Sequence, residues 1–419
     1  MVAGLLAACG SDPTPSSDPH PSSAGQSSNP SAGAATSGAT TSDTTTAGTN
    51  SGGSASAGAN AGVGGAGAGP VITETAGQAG AAGGRPQTSG GGPAFVCPPA
   101  PFAAAPVASG ATAERIAGVP PNDAFISDAN DTVILEGPVW LDGNLYVSEI
   151  ENGSAFGNGG PGGGTAGANS GGNSSAPPGR ILKISEAGAV SVAVADVGSN
   201  GLALDLNGAL VGCSHKTGSI SRFSLAGAAP VDLVSSYMGA RFNSPNDLTF
   251  GADGSLYFTD PSYQAPKPAP QSAQRAYRVP PGSNTATPIS SGITQPNGVT
   301  FSPDFKTLYI SGSNGVFSHP VMADGSVGAA SPFASDVVRS SDGMGIDCAG
   351  NLYTTSNQTV VIVSPQGKQV GSISVAGVTS VSNVAFGGPD HKTIYITGLG
   401  NGTRGGVFKI ASQIPGMPF

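Results

Sequence analysis

The sequence has few charged and few aromatic residues. Of its 419 residues, only 10% are Asp, Glu, Lys or Arg and only 6% are Phe, Trp or Tyr. Helical bundles and coiled coils are built from helices rich in Ala, Leu, Glu and Lys, so this composition excludes both. The 16 Lys and Arg residues are scattered among 25 Asp and Glu residues, which gives a net charge of −9. Without a basic cluster, the chain has no electrostatic surface for a nucleic acid.

Common cysteine motifs and long apolar runs are also missing. The four cysteines include no CxxC pair, which excludes a zinc ribbon and a thioredoxin-like motif. No run of 18 apolar residues is present, so no spanning helix is predicted. Cys97 precedes the strand-forming region, whereas Cys213 and Cys348 fall within strand-like runs. We expect Cys213 and Cys348 to be buried free thiols, although an exported protein could pair two of the three.

Glycine and proline are abundant instead, with 67 and 35 residues. Residues 10–111 begin with a long stretch of Ser, Thr, Gly, Ala and Pro without apolar periodicity, which predicts a disordered tether. Residues 152–179 have a similar composition but separate two strand-like runs, so they are predicted to be a loop insertion. The folded domain is therefore predicted to cover residues 112–419, enough for one large core.

The first nine residues resemble an export signal remnant. Leu6-Ala7-Ala8-Cys9 follows a short apolar run and resembles a bacterial lipobox, which predicts lipid attachment at Cys9. The apolar run is very short and a positive n-region is missing, so a misplaced start codon or an ordinary disordered N-terminus stays open. The lipobox predicts a lipoprotein that is anchored at the bacterial envelope (outer membrane or periplasm) by lipid alone, and we expect the protein to be a monomer.

One hairpin unit recurs six times along the folded part. Each copy has a turn containing Gly or Asp, followed by alternating strand residues. The copies read LDGNLYVSEI from Leu141, LNGALVGCSH from Leu206, ADGSLYFTDP from Ala252, DFKTLYISGS from Asp304, AGNLYTTSNQ from Ala349 and DHKTIYITGL from Asp390. A period near 45 residues with about four strands per unit is typical of a propeller blade. The sequence therefore predicts an all-β, six-bladed β-propeller, with a pair of β-sandwiches as the alternative.

Polar residues precede the hairpins at matching places in the repeat. In a propeller, these positions converge on the central channel; they are Glu136, Asn200, Asn246, Asn297, Asp342 and Asn383. Each one alone is an ordinary turn residue. Together, two carboxylates and several amide oxygens form a ligand set that suits a hard cation, above all Ca²⁺. Mg²⁺ and Mn²⁺ stay open, and Zn²⁺ is disfavoured by the lack of His and Cys ligands.

Five motifs in the folded part resemble the SMP-30/gluconolactonase family. They are EGPVW at Glu136, FNSPNDLTFGADGSLYFTDPSY from Phe242, QPNGVTFSPDFKTLYIS from Gln295, SDGMGIDCAGNLY from Ser341 and NVAFGGPDHKTIYITG from Asn383. The resemblance extends over about residues 133–410. It implies a six-bladed propeller with one divalent cation in its channel and a lactone-hydrolysing activity. The metal ligands implied by the resemblance are Glu136, Asn246, Asn297 and Asp342.

Further site residues follow from the same resemblance. Asn200 and His215 match channel-lining positions that contact substrate, as does Asn246. A lone strand histidine is equally well explained as a hydrogen-bonded structural residue. Ser214 stands where the bacterial branch of the family usually has an acidic residue, and the Pro-rich run after Tyr263 also departs from the family. Both departures affect the region that would meet the substrate.

A mechanism follows from the implied metal. We expect the cation to polarise the lactone carbonyl, Asp342 to take a proton from the attacking water, and Glu136 to act as a ligand only. Two other functions stay open. One is a phosphotriester hydrolase that uses the same site, and the other is a non-enzymatic surface-binding propeller with a structural metal. Fold alone does not choose among them.

Overall fold

Short runs of β-branched and aromatic residues, separated by Gly- and Asp-containing turns, form strands throughout the described chain. The computed structural model describes residues 95–103, 105–118, 132–152, 179–289, 292–400 and 406–418. Cys9, the tether up to residue 94 and residues 153–178 of the predicted insertion lie outside the described residues. Within the described ranges, no helix has the length and apolarity needed to cross a membrane.

Six four-stranded sheets account for nearly all of the described strands. The first strands in chain order are β1 (Glu114–Gly118), β2 (Thr132–Leu141), β3 (Asn144–Asn152), β4 (Arg180–Ser185), β5 (Val190–Val194), β6 (Ser199–Leu204), β7 (Leu210–Ser214), β8 (Ser219–Arg222) and β9 (Val231–Val234). They are followed by β10 (Ser236–Tyr237), β11 (Ala240–Arg241), β12 (Leu248–Phe250), β13 (Leu256–Asp260), β14 (Arg275–Val279), β15 (Thr287–Pro288), β16 (Val299–Phe301), β17 (Thr307–Gly312), β18 (Gly315–Pro320) and β19 (Ser331–Phe333). The last strands are β20 (Met344–Ile346), β21 (Leu352–Ser356), β22 (Thr359–Val363), β23 (Gln369–Ser374), β24 (Val378–Gly387), β25 (Thr393–Gly400) and β26 (Gly406–Ala411).

The sheets are the blades of a six-bladed β-propeller, which confirms the predicted fold. Blades 1 to 5 run β2–β5, β6–β9, β12–β15, β16–β19 and β20–β23, each as an antiparallel meander. Blade 6 has the order β1-β26-β25-β24, so the first strand of the chain forms the outer edge of the last blade. The innermost strands contact their neighbours around the ring, and β24 contacts β2 to close it. Closure leaves no innermost strand without a neighbour on either side.

Each predicted hairpin joins the innermost strand of a blade to its second strand. In blade 1, Leu141 pairs with Asn144, and the two turn residues Asp142 and Gly143 have φ angles of 49° and 74°. Positive φ at both central residues is the signature of a type I′ turn, which matches the twist of a hairpin. The repeated sequence unit is therefore the first hairpin of every blade.

The aromatic residue that recurs in these hairpins packs between blades. Tyr257 on β13 meets Phe301 on β16 edge-on, with ring centroids 4.9 Å apart. Tyr353 on β21 meets Phe386 on β24 in the same way, at 5.0 Å. Such pairs contribute about 0.5–1.5 kcal/mol each beyond the area they bury. The tyrosine in the repeat therefore joins one blade to the innermost strand of the next.

A disulfide connects the segment before the propeller to blade 5. Cys97 and Cys348 are bonded, with Cα atoms 5.4 Å apart and a sequence separation of 251. The expectation of a free thiol at Cys348 is therefore wrong, because residues around Cys97 reach the hairpin turn of blade 5. Cys213 is buried and free, as expected. Within residues 95–111, which the sequence assigned to the tether, Cys97, Pro106, Val107 and Ala111 are buried, whereas most of the other described residues are exposed.

Candidate metal centre in the propeller channel

The six polar positions predicted from the repeat all lie at the innermost strands. Glu136, Asn200 and Asn383 lie within β2, β6 and β24, and the other three precede β12, β16 and β20 by two residues. Five of the six are buried, and Asp342 is partly exposed. Because neighbouring innermost strands contact each other around the ring, equivalent positions on them face a common axis.

Glycines directly after these positions allow the strands to approach closely. Gly201 follows Asn200, and a Cβ built on it would lie 2.5 Å from Asp247 Oδ1 and 2.7 Å from the Asn246 carbonyl oxygen. Gly298 follows Asn297, and its Cβ would lie 2.6 Å from the Asp342 carbonyl oxygen. Cβ atoms do not approach other atoms this closely, so these strands can be adjacent only with glycine at those positions.

Glu136 is held at a bulge in the innermost strand of blade 1. The pairing of β2 with β3 shifts between Glu136 and Val139, and Gly137 has a φ of 54°. Glu136 Oε2 accepts a hydrogen bond from Gly137 N at 3.1 Å and from Asn383 Nδ2 at 3.2 Å. Burial raises the pKa of Glu136 well above its usual value, and the nearby Asp342 carboxylate raises it further.

Asp342, Asn297 and Tyr263 form the other side of the site. Burial raises the pKa of Asp342 to about 7, the Asp247 carboxylate raises it too, and a side-chain hydrogen bond with Asn297 lowers it. Asn297 Nδ2 also lies 3.5 Å from Tyr263 Oη. Burial raises the pKa of Tyr263, and the charges of Asp342 and Glu136 add to the effect. Tyr263 is therefore within electrostatic reach of both predicted carboxylate ligands.

Asn246 lies on a loop that a buried carboxylate fixes in place. Asp260, at the end of β13, accepts hydrogen bonds from Asn243 N at 3.0 Å and Ser244 N at 2.8 Å. Asn246 N donates to the Thr259 carbonyl at 2.9 Å, and its own carbonyl accepts from Gly201 N at 2.6 Å. The segment that begins at Asp260 thus positions the segment from Ser244 to Asp247 that contains Asn246.

Asn200 and His215 lie in blade 2. Asn200 is 3% exposed, and its carbonyl oxygen would be 2.6 Å from a Cβ on Gly137 of blade 1. His215 follows β7; its main-chain N–H donates to Gly198 at 2.9 Å, and its carbonyl accepts from Arg241 Nη2 at 2.8 Å. Burial lowers the pKa of His215 to about 4, and the Arg241 charge lowers it further. The described contacts of His215 are therefore with Gly198, which precedes the innermost strand of blade 2, and with Arg241, and its substrate role stays a prediction.

Asp247 is a channel-side carboxylate to which sequence reasoning gave no role. Its Oδ1 accepts from Leu248 N at 2.9 Å and its Oδ2 from Val299 N of blade 4 at 3.3 Å. Burial raises the pKa of Asp247 to about 7. At this place in the repeat, four of the other five blades have glycine and one has valine. That departure from the repeat is the sequence signal that singles out Asp247.

The donor set fits a divalent cation that prefers oxygen ligands. Within the described ranges, no group of three or more His, Cys, Asp and Glu side chains could hold a metal ion alone. A cation in the channel would thus need amide oxygens beside Glu136 and Asp342, and Asn246 and Asn297 occupy suitable positions. The groups that lower the pKa of Glu136 and Asp342 are amides and a main-chain N–H, not cationic side chains. Buried carboxylates without a cationic partner are costly unless a cation lies between them.

Fold and site together define a six-bladed propeller with an oxygen-lined channel. The family model described as SMP-30/Gluconolactonase/LRE-like region matches residues 135–400. The chain therefore belongs to this family.

The individual relatives have low sequence identity to this chain. A gluconolactonase from Zymomonas mobilis is 28% identical over 49% of this chain and 62% of its own length. The lactonohydrolase oryL from Aspergillus oryzae is 26% identical over 47% of this chain and 52% of its own length. The chain thus spans less than two thirds of both curated relatives. The solved structure of a gluconolactonase from Xanthomonas campestris is 26% identical, covers 75% of this chain and 99% of that chain, and superposes with a TM-score of 0.54.

Proposed function

We propose that the protein is a metal-dependent hydrolase that opens a lactone ring, acting on a sugar lactone or a related cyclic ester. The observation that carries the proposal is the meeting of the buried Glu136 and the partly exposed Asp342, two carboxylates without a cationic partner, beside the amide of Asn297. Family membership and the activities named for the Zymomonas and Aspergillus relatives support the choice of lactones.

The four predicted ligands have different roles, because two of them are charged and two are neutral. Glu136 and Asp342 supply the negative charge that holds the cation, and the amide oxygens of Asn246 and Asn297 add ligands without adding charge. Ca²⁺ suits this all-oxygen set best. When bound, such an ion polarises the lactone carbonyl and lowers the pKa of a nearby water. The Asn383 amide holds Glu136 Oε2 in place, so Glu136 serves as a ligand rather than a base.

Asp342 is the proton acceptor in this mechanism. Water attacks the lactone carbonyl carbon while the Asp342 carboxylate takes its proton. The bond between the carbonyl carbon and the ring oxygen then breaks, and the proton passes to the departing oxygen. The product is the open hydroxy acid. Tyr263 Oη lies beside Asn297, where it can donate a hydrogen bond to the substrate.

We also propose that the chain is exported and lipid-anchored through Cys9. The Cys97–Cys348 disulfide supports export, because disulfides persist in oxidising compartments. Mass spectrometry of the N-terminal peptide from membrane fractions tests the anchor. A lipid-modified Cys9 supports it, and an unmodified N-terminal peptide contradicts it.

Turnover of a sugar δ-lactone by the full chain tests the hydrolase proposal. The protein is treated with a chelator and then assayed with Ca²⁺, Mg²⁺, Mn²⁺ or Zn²⁺ added singly. Its rate is compared with the spontaneous rate of lactone hydrolysis. We expect at least one ion to restore turnover, Asp342→Asn to abolish it, and Asp347→Asn to keep it. Asp347 is a matched control because it is a buried aspartate of the same blade that lies at the hairpin turn after β20.

The other outcomes separate the alternatives. Turnover of a phosphotriester but of no lactone would assign a different substrate to the same site. A rise in melting temperature on metal addition without turnover of either substrate would favour the binding propeller with a structural metal.

A further inference from the structure

A hydroxyl side chain occupies the same position on the second strand of five blades, and Cys213 takes this position in blade 2. The five hydroxyl residues lie opposite or close to the channel position of the innermost strand; they are Ser148, Thr259, Ser311, Thr355 and Thr397. Each is at most 3% exposed. A buried hydroxyl is retained at low cost only if it makes hydrogen bonds, so the partners of these five groups indicate what they do.

Two of the hydroxyls reach across to the main chain of a predicted ligand in the next blade. Thr259 Oγ1 in blade 3 donates to the carbonyl oxygen of Asn297 in blade 4 at 2.6 Å. Ser311 Oγ in blade 4 donates to the carbonyl oxygen of Asp342 in blade 5, also at 2.6 Å. The chain thus repeats one contact at two successive blade junctions, each time on a ligand residue.

The main chain of Asp342 is held by hydroxyls on both sides. Its carbonyl accepts from Ser311 Oγ and, at 3.2 Å, from Gly298 N. Its N–H donates to Thr355 Oγ1 of its own blade at 2.8 Å. The main chain sets the direction of the Cα–Cβ bond, so these contacts fix the point from which the Asp342 carboxylate extends.

The other hydroxyls of the set have different partners. Ser148 Oγ shares a hydrogen bond with Ser199 Oγ at 2.7 Å, and Thr397 Oγ1 accepts from Ser382 Oγ at 3.0 Å. Neither partner is one of the four predicted ligands. The contact with a ligand carbonyl is therefore specific to the two junctions that lead to Asn297 and Asp342.

We propose that Ser311 and Thr259 are positioning residues of the channel metal centre: their hydroxyls fix the main chain of Asp342 and Asn297, and so the direction of the ligand oxygens. This inference rests on the proposed function, because it requires a cation at these ligands. Groups that orient metal ligands without touching the ion change metal affinity by about 10- to 100-fold when removed.

Calorimetric titration of the chelated full chain with Ca²⁺ alone tests the inference, together with the melting temperature of each metal-free variant. Ser311→Ala removes the hydroxyl, Ser311→Thr keeps it, and Thr259→Val replaces threonine with a side chain of the same shape. Ser412→Ala is the matched control, because Ser412 is buried and its Oγ donates to the Ile414 carbonyl at the same 2.6 Å, away from the channel.

We expect Ser311→Ala and Thr259→Val to weaken Ca²⁺ binding by about 10-fold or more. Ser311→Thr should recover the wild-type affinity, as blades 3, 5 and 6 already have threonine at this position. Ser412→Ala should lower the melting temperature by a similar amount to Ser311→Ala but leave Ca²⁺ affinity unchanged.

Two results would overturn the inference, and they differ. If the wild type binds Ca²⁺ and Ser311→Ala binds it equally well, the hydroxyl is only structural and the metal centre stands. If the wild type binds neither Ca²⁺ nor, in the same titration, Mg²⁺, Mn²⁺ or Zn²⁺, the metal centre itself is absent, and the proposed function falls with the inference.

Discussion

The contact between blades 4 and 5 gives the sharpest test of how the channel is built. Gly298 lies in the strand-to-strand contact next to Asn297, with its N–H 3.2 Å from the Asp342 carbonyl oxygen. In Gly298→Ala the new Cβ would lie 2.6 Å from that oxygen and 2.9 Å from Gly343 Cα. Ordinary contact begins at 3.4 Å, so the two strands must separate by about 0.8 Å. Both clashing atoms belong to the main chain, so no side-chain rotation relieves the clash.

This displacement should affect stability and the metal centre together. Overpacking of this kind costs about 1–3 kcal/mol in the free energy of unfolding. Moving Asp342 away from Asn297 by nearly 1 Å should also lower lactone turnover by about 100-fold. Denaturant unfolding and lactone turnover at saturating Ca²⁺ measure the two effects.

Gly371→Ala is the matched control for this prediction. Gly371 lies on the outer strand β23, and its Cβ would approach only side-chain atoms, the nearest being Ile362 Cδ1 at 3.2 Å. We expect it to keep turnover and most of its stability. If Gly298→Ala matched the wild type in both assays, the close approach of the innermost strands, on which the site depends, would be refuted.

Three further predictions concern charge, cross-linking and loop support. Without a cation, burial raises the pKa of Asp247 and Asp342 to about 7. Below their unfolded pKa of about 4, these two groups contribute fully to the stability of the fold. This contribution is lost as the pH rises through 7. The chelated protein should therefore unfold at lower denaturant at pH 8 than at pH 5, and Ca²⁺ should reduce the difference; rising stability over this range without Ca²⁺ would count against the prediction. Replacing both Cys97 and Cys348 with alanine should lower the free energy of unfolding by about 3–5 kcal/mol yet leave Ca²⁺ affinity unchanged, and a loss of affinity in calorimetry would contradict this. Asp260→Ala leaves two buried N–H groups without acceptors, so it should cost about 2–5 kcal/mol and weaken Ca²⁺ binding; unchanged unfolding would show that the loop needs no such support.

The fold could be predicted because its repeat is local. Each blade carries its own Gly- or Asp-containing turn and its own alternating strands, and neither depends on distant contacts. The positions of Glu136 and Asp342 followed from the same repeat, because equivalent residues in a closed ring face the same axis. The closure of blade 6 by β1 was not evident, because it pairs Glu114 with Lys409 from opposite ends of the folded chain.

The remaining features could not be predicted because they depend on contacts between segments that are distant in the sequence. The Cys97–Cys348 bond depends on the path of a segment with no repeat to locate it, so free thiols were the simpler expectation. The support of the Asn246 loop by Asp260 crosses from one motif to another within a blade. The hydroxyl at Ser311 is visible in the repeat, but its partner, the Asp342 carbonyl, belongs to the next blade and appears only once the ring is assembled.

The most direct test of the account is a titration of the chelated full chain with the ion that best restores turnover, with lactone hydrolysis and bound metal measured in the same samples. We predict that activity rises with bound metal and levels off at one ion per chain. Glu136→Gln should reduce metal binding and turnover in parallel. Full hydrolysis by the chelated wild type, or metal binding unchanged in Glu136→Gln, would contradict a channel metal centre that opens lactones.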